Sequence, residues 1–498
     1  MSQPIWIILI ISGYLLIWLG LSYVTSRGAD NATFFSGNRK MAWPLVAIAM
    51  IGAPITGVTF LSVPGMVIHK GYSYLQMGIG FILGYLLIAF VLIPVYYKLK
   101  IVSVYEFLQN RFGRVSYKTG AWLFFVSKIL GISIRFLMVC LMLQLLLLDP
   151  LGIPFIFSVI IGLAMVWLST FKGGVKSVIW GDTLKSICLV STILLCLYFL
   201  MNKLHISFWN LPAQISLHET SKVFFLDNPS DGKYFWKQVI AGIFIVVAMT
   251  GLDQDMMQRT LACKNARDAK KNLITSSFMQ VVVIFLLLVL GSLMVMFMDA
   301  KGLAVPEKSD NLFATVAFHE DIPIIVGCLF VLGIVSATCS SVGSALTAMT
   351  TTVTVDLMEA DKTEKDNLLV SKRKRIHTYI SLLIAVIVVG FYYINNDDAL
   401  STVYTLISFT DGPILGLFLF GILTKKQVYD KWLPVICIMA PVVSWVIQWA
   451  TRNYLDYEIS FELLIINAGI TFLSMLFLAG FSRRIATVAV VGDPDLPR

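Results

Sequence analysis

Charge is scarce in this 498-residue chain: 13% of its residues are Asp, Glu, Lys or Arg, against about 25% in an ordinary soluble domain. With 58% hydrophobic residues, the chain lacks the polar surface a soluble globule of this size needs, so it reads as a polytopic membrane protein. Histidine is rarer still, five in all, and none falls in a ligand spacing such as H-E-x-x-H. No G-x-x-x-x-G-K-[ST] occurs, and Gly173-Gly-Val-Lys-Ser177 is not a phosphate loop, so ATP does not drive whatever is moved. The seven cysteines form no C-x-x-C pair and none lies in an outside loop, so free thiols packed as small apolar groups are expected. No nucleophile–base pair or metal cluster stands out, so no catalytic or cofactor-binding residue is assigned and an enzyme is not expected. Nothing basic precedes the first apolar stretch, Met1-Ser-Gln-Pro, which speaks against a cleaved signal peptide.

What is abundant is apolar sequence of spanning length, about 20 residues per crossing. Such stretches fall near 4–24, 43–67, 72–97, 119–147, 153–171, 175–201, 236–257, 273–299, 323–357, 377–395, 399–424, 432–451 and 460–482, giving thirteen expected spans in an all-α membrane protein. Arg27, Arg39 and Lys40 follow the first span, which places the N-terminus outside. Carried along the chain, that orientation puts 27 of the 38 Lys and Arg inside, 8 outside, and Lys128, Arg135 and Lys185 within spans. The net charge of +9 follows from this topology, and no nucleic-acid partner is needed to explain it. The polar segments 202–235, 258–272, 300–322 and 358–376 read as loops too short to fold alone. A lipid bilayer and a small solute are the expected partners, with no obligate protein partner evident.

The second span contains Gly52-Ala-Pro54-Ile55-Thr56-Gly57. Pro54 has no amide hydrogen and frees the carbonyl one turn back, so a helix broken near the bilayer middle is expected, with unpaired carbonyl oxygens. Met249-Thr250-Gly251-Leu252 is a softer version five spans later. Interrupted spans at corresponding positions of two halves point to an inverted-repeat transporter with its site at mid-membrane. The ninth span carries a run of six hydroxyls in twelve residues, 336–347, in which Ala337, Ser340, Ser341 and Ser344 share one helical face. Such a seam serves either close helix packing or cation ligation. Two of its hydroxyls with carbonyls of Gly52, Ile55 and Ala337 make a neutral five-oxygen shell suited to a hard monovalent cation.

Asp182 lies two turns into the sixth span, where a carboxylate costs about 3 kcal/mol unless paired or solvated. Lys185, three residues on, is a candidate partner. Asp253, Asp255 and Asp411 stand at helix-capping positions, and Lys128 and Arg135 stand to meet either a buried carboxylate or an anionic substrate.

Several segments resemble the sodium/solute symporter family, in its bacterial, sodium–glucose-cotransporter-like branch. They are Lys172-Gly-Gly-Val-Lys-Ser-Val-Ile-Trp180-Gly-Asp182, Asp253-Gln254-Asp-Met-Met-Gln258-Arg259 with 262–264, and Ser340-Ser341, in order across about 30–425. The resemblance implies a LeuT-type 5+5 inverted repeat: one extra helix and inner loop over 1–40, repeats over 41–201 and 236–424, an outer loop at 202–235, two C-terminal helices over 425–482, and a cytoplasmic tail, 483–498. It implies a sodium ion on Gly52, Ile55, Ala337, Ser340 and Ser341. A second sodium maps onto Asp182, Ser341 and Ser344, where Gly343 stands in place of a serine ligand and Gly181-Asp182-Thr-Leu-Lys185 departs from the usual T-D-x-x-Q. Substrate contacts map onto Thr56, Thr59, Tyr74, Thr250 and Thr405, while the arginine of sialic-acid transporters aligns with Gly131 and the nearest one here is Arg135. The expectation is a sodium-coupled importer of a small polar solute, a sugar or sugar acid foremost, in a bacterial cytoplasmic membrane with its C-terminus inside. Proton coupling through Asp182 or Asp411, and a non-transporting solute sensor, are the alternatives.

Overall fold

The computed structural model describes residues 3–27, 30–144, 148–229, 231–394, 399–454, 457, 459 and 462–491. The side chains of 3–8, 139, 142, 150, 217, 219, 394, 399–407 and 480–491 stand outside that description. Every regular element among the described residues is helical, apart from one bridge joining Met41 and Cys263. Among the described residues, seven helices are long and apolar enough to cross a membrane, two further spans are bent pairs, and Leu9–Thr25, Phe155–Thr170, Ser408–Leu423 and Leu463–Ala479 are shorter apolar helices. The protein is therefore a multi-pass, all-helical membrane protein.

Both expected interruptions are present. Trp43–Gly52 and Gly57–Lys70 meet at 56°, and Phe235–Gly251 and Gln254–Leu261 meet at 67°. In the first, Pro54 stands in the break and Thr56 caps the helix that follows, its hydroxyl accepting from the Thr59 amide at 3.4 Å. In the second, the first half ends in a π-turn, Val247–Gly251, which widens the helix before it stops. Asp253 then caps Gln254–Leu261 through the Met256 amide at 3.2 Å.

Two of the expected polar loops are largely helical. Gln254–Leu261 and Ala266–Lys301 occupy most of 258–272, and Asp366–Ile394 begins inside 358–376 and carries the Lys372-Arg-Lys-Arg375 run. Hydropathy marks where apolar side chains stop, whereas backbone hydrogen bonding lets a helix continue past them.

The broken spans pack against the most enclosed helices. In Ile324–Leu357 78% of the apolar window is buried and in Ala266–Lys301 72%, whereas Asp430–Tyr454 has 22% and faces outward. Small residues permit that central packing: a Cβ added to Gly291 would lie 2.8 Å from the Pro64 carbonyl carbon, so Ala266–Lys301 touches Gly57–Lys70 backbone to backbone. That outward-facing helix is tied in by Asp430, which accepts from the amides of Val115 and Ser116, both at 2.8 Å, at the start of Arg114–Leu143. At the same end Lys118, with Arg114, holds the Glu359 carboxyl below its ordinary range.

Gly291→Ala is expected to destabilise the protein by about 1–3 kcal/mol through overpacking. Gly13→Ala, where a Cβ meets nothing within 4 Å, is expected to leave it unchanged. Apparent melting temperatures of the two purified variants measure the difference, and equal values would contradict the close approach.

Candidate functional site

The break at 53–56 opens onto a cavity of about 60 Å³ at the centre of the bundle. Its wall brings together Thr56, Thr59, Tyr74 and Thr250, four of the five substrate positions expected from sequence; the side chain of Thr405 lies outside the described residues. Thr56 and Thr59 are held as a pair, hydroxyl to hydroxyl at 3.3 Å, because the first caps the turn in which the second sits. Sequence reasoning left Tyr85, Met256 and Gln280 out of this wall and left Arg135 open. Arg135 lies two turns beyond Lys128 on one helix, but Lys128 is drawn into ion pairs while Arg135 reaches the cavity. A larger cavity, about 250 Å³, lies toward the 202–235 segment and shares Tyr74 with the first. Beside the second break, Tyr96 and Tyr105 donate to the carbonyls of Gly251 and Leu252, and Gln258 donates to the Phe35 carbonyl and to Thr351.

The five positions of the expected cation shell are all buried, and the ligand groups of Gly52, Ala337, Ser340 and Ser341 already have partners. The Gly52 carbonyl accepts from the Ile55 amide at 3.1 Å, and the Ala337 carbonyl accepts from the Ser341 hydroxyl at 2.8 Å. The Gly52 amide donates to Ser186, and a Cβ at position 52 would stand 3.2 Å from the Ser186 Cα, so only glycine lets the broken span lie this close to Gly174–Lys203. Ser340 donates to Asp182, and the fully buried ammonium of Lys185 donates to Ser341 at 3.0 Å.

Asp182, wholly buried, is paired with Arg259 at 2.7 Å, so its partner comes from the second broken span and not from Lys185. Arg259 also holds Asp255 at 2.9 Å; Asp255 in turn meets Lys128 at 2.9 Å, and Lys128 meets Asp253 at 2.8 Å. Ser344 donates to Asp255 at 3.4 Å. The residues mapped to a second sodium thus part company: Asp182 is on Arg259, Ser344 on Asp255 and Ser341 on Lys185. A Cβ at Gly343 would lie 2.9 Å from the Thr170 methyl, so its face points toward a neighbouring helix. Asp411, a further, half-buried acid of this region, accepts from Ser127 at 2.5 Å. Arg259 could not be paired from sequence because it looked like the first residue of a basic loop, and only the bend at 252–253 turns it inward.

A family model described as the sodium:solute symporter family matches residues 34–429. Among curated proteins, the sodium/sialic acid symporter NanT of Aliivibrio fischeri is 24% identical over 91% of this chain and 89% of its own length. The human sodium/iodide cotransporter is 25% identical over 83% of this chain, which spans 64% of that relative. Sodium-coupled monocarboxylate transporter 1 of Xenopus laevis is 26% identical over 85% of this chain and 68% of its own. A solved structure of a Na+-coupled sialic acid symporter, outward-open with substrate bound, matches with a TM-score of 0.82 at 18% identity, over 96% of this chain and 98% of that one. That likeness shows a shared fold.

Arg259→Met removes the cation between two buried carboxylates, and loss of one partner of a buried pair costs about 3–5 kcal/mol. A large fall in melting temperature is expected. Adding Asp182→Asn should restore part of it, because the stranded charge goes with the second change. Stability unaffected by Arg259→Met would show that the pairs of Arg259 with Asp182 and Asp255 contribute nothing.

Proposed function

The chain belongs to the sodium:solute symporter family, and from that membership and its paired broken spans we propose a secondary active symporter that imports a small polar solute with sodium by alternating access. One observation carries the reading. The break at 53–56 lines the central cavity through Thr56, and the Gly52 and Ile55 carbonyls flank the same break. Ion and solute therefore act on one bistable element, as coupling requires. Relatives that carry sialic acid, iodide or monocarboxylates support a polar solute, with a sugar or sugar acid within range. Such a protein moves its solute unchanged and is no enzyme.

Counting each bent pair as one span and each shorter apolar helix as another gives thirteen crossings. The two bends then fall in the second and seventh spans, which supports a 5+5 repeat over 41–201 and 236–424, preceded by one helix over 1–40 and followed by two over 425–482. The charge asymmetry supports an outside N-terminus, an outer loop at 202–235, an inside tail at 483–498 and residence in a bacterial cytoplasmic membrane. We place sodium on Gly52, Ile55, Ala337, Ser340 and Ser341. A second ion on Asp182, Ser341 and Ser344 requires Arg259 to leave Asp182.

A second reading has its own observation, the Lys185 ammonium on Ser341. Two like charges 4 Å apart repel by about 4 kcal/mol at an effective dielectric of 20, so sodium and Lys185 do not share the shell without rearrangement. If the lysine does not withdraw, it is a tethered cation in place of sodium, and transport ignores sodium.

Melting temperature in sodium chloride against equal choline chloride separates the two readings, since a ligand of the native state raises apparent stability. For the sodium reading, sodium stabilises the protein and Ser341→Ala abolishes the effect. A wild type indifferent to sodium, with a sodium response gained in Lys185→Met, favours the tethered cation instead. Indifference in both would remove this shell as the ion site.

A further inference from the structure

We propose that the face which the charge asymmetry puts inside binds the phosphate headgroup of an anionic phospholipid, between the turn at 171–176 and the helix Asp366–Ile394. Three segments meet there. Ser22 donates to the Ser169 carbonyl, Thr25 and Ser177 share a hydrogen bond of 2.8 Å, and a Cβ at Gly173 would lie 3.2 Å from the Ser26 Cβ, so the end of Gln3–Thr25 lies against the turn. From the other side the Lys374 ammonium stands over the Phe171 ring, 5.3 Å from its centroid. Together the segments bring Arg27, Lys172, Lys176, Lys374 and Arg375 to one end of the bundle, with Arg27, Lys172 and Arg375 exposed.

Their charge has no answer within the protein. Among the described residues none of the five is ion-paired with a carboxylate, whereas the other two members of the basic run are engaged, Lys372 on Glu364 at 3.2 Å and Arg373 on Asn31 at 3.1 Å. No Asp or Glu occurs in 150–181 or 367–396. The exposed acids nearest in sequence are taken up by neighbours: Asp30 caps through the Thr33 amide, and Asp366 accepts from Asn31. Basic residues gathered at a membrane face attract anionic headgroups, and lysines from two segments can meet one phosphate from two sides. Deeper along the same helices the surface suits acyl chains. Trp167 donates to Thr378 at 3.2 Å, and Thr170 and His377 share a hydrogen bond of 3.1 Å, so Phe155–Thr170 and Asp366–Ile394 form one wall. Ile161 and Leu168 on the first helix, and Tyr379, Leu382 and Val386 on the second, are exposed. The Trp167 and Phe171 rings, 4.3 Å apart, stand between the cations and this apolar surface, as aromatic residues do at the headgroup boundary. A free phosphate meets the cations alone, and a neutral lipid the apolar wall alone. An anionic phospholipid satisfies both.

The test is a thermal-shift titration of the purified full-length protein in detergent with dioleoyl phosphatidylglycerol, dioleoyl phosphatidylcholine or glycerol phosphate. Phosphatidylglycerol is expected to stabilise the protein at the lowest concentration. Phosphatidylcholine, with the same chains and no net charge, and glycerol phosphate, with the charge and no chains, should shift it little. Lys172→Gln with Lys374→Gln should weaken phosphatidylglycerol roughly tenfold or more, since each base near an anionic surface contributes about fivefold. Lys172→Arg with Lys374→Arg should keep most of the affinity. Lys425→Gln with Lys426→Gln, an equal change of charge at two other exposed lysines, should leave it unchanged. In the wild type, phosphatidylglycerol should also protect Lys172 and Lys374 from acetylation, read by mass spectrometry, which locates the site even if a variant fails to fold. The proposal is overturned if phosphatidylcholine or glycerol phosphate matches phosphatidylglycerol, if the change at 172 and 374 costs nothing or no more than that at 425 and 426, or if neither lysine is protected.

Discussion

A carboxylate with no water around it must find a cation, and in this protein one arginine answers for two. Arg259 is 1% exposed and holds both Asp182 and Asp255. To reach them, its helix must turn inward at 252–253, and Gln254–Leu261 bends away from Phe235–Gly251 by 67° to do so. The bend exposes the carbonyls of Gly251 and Leu252, which Tyr96 and Tyr105 take up. Asp182 brings Gly174–Lys203 against Ile324–Thr351 through Ser340, and Ser186, one turn along, receives the Gly52 amide at the first break. The two broken spans are thus linked through one buried charge cluster.

The cluster is also balanced. Three acids, Asp182, Asp253 and Asp255, stand among three bases, Lys128, Lys185 and Arg259. A neutral set of this kind tolerates no added ion without rearrangement, because the pairs satisfy each other. On the proposed sodium site, a cation arriving at Ser341 would displace Lys185, and a displaced Lys185 would change the field at Asp182 and Arg259. Under that proposal, ion binding at one break would be linked to the pairing that fixes the other, a physical route for coupling.

The sequence displayed both breaks because proline and glycine act locally: Pro54 cannot donate, and no neighbour can change that. The threonines of the cavity were legible only through the family resemblance, which mapped substrate contacts onto Thr56, Thr59 and Thr250. The buried pairings were not legible. Asp182 had a lysine three residues away, yet it pairs with an arginine 77 positions on, and Lys128 and Arg135 share a helix but end in different environments. Such outcomes depend on which helices become neighbours, information that hydropathy and periodicity do not contain. Gln280 was hidden for a related reason, as a polar residue at the edge of a long apolar run gives no sign of facing a cavity.

The position of Lys185 is the most direct test. Cryo-EM maps of the purified protein in saturating sodium and in choline should differ at one place. The account predicts that in sodium the Lys185 ammonium leaves Ser341 and density for an ion lies among Gly52, Ile55, Ala337, Ser340 and Ser341. A lysine still on Ser341 in saturating sodium, with no new density between the broken span and the serine helix, would contradict it.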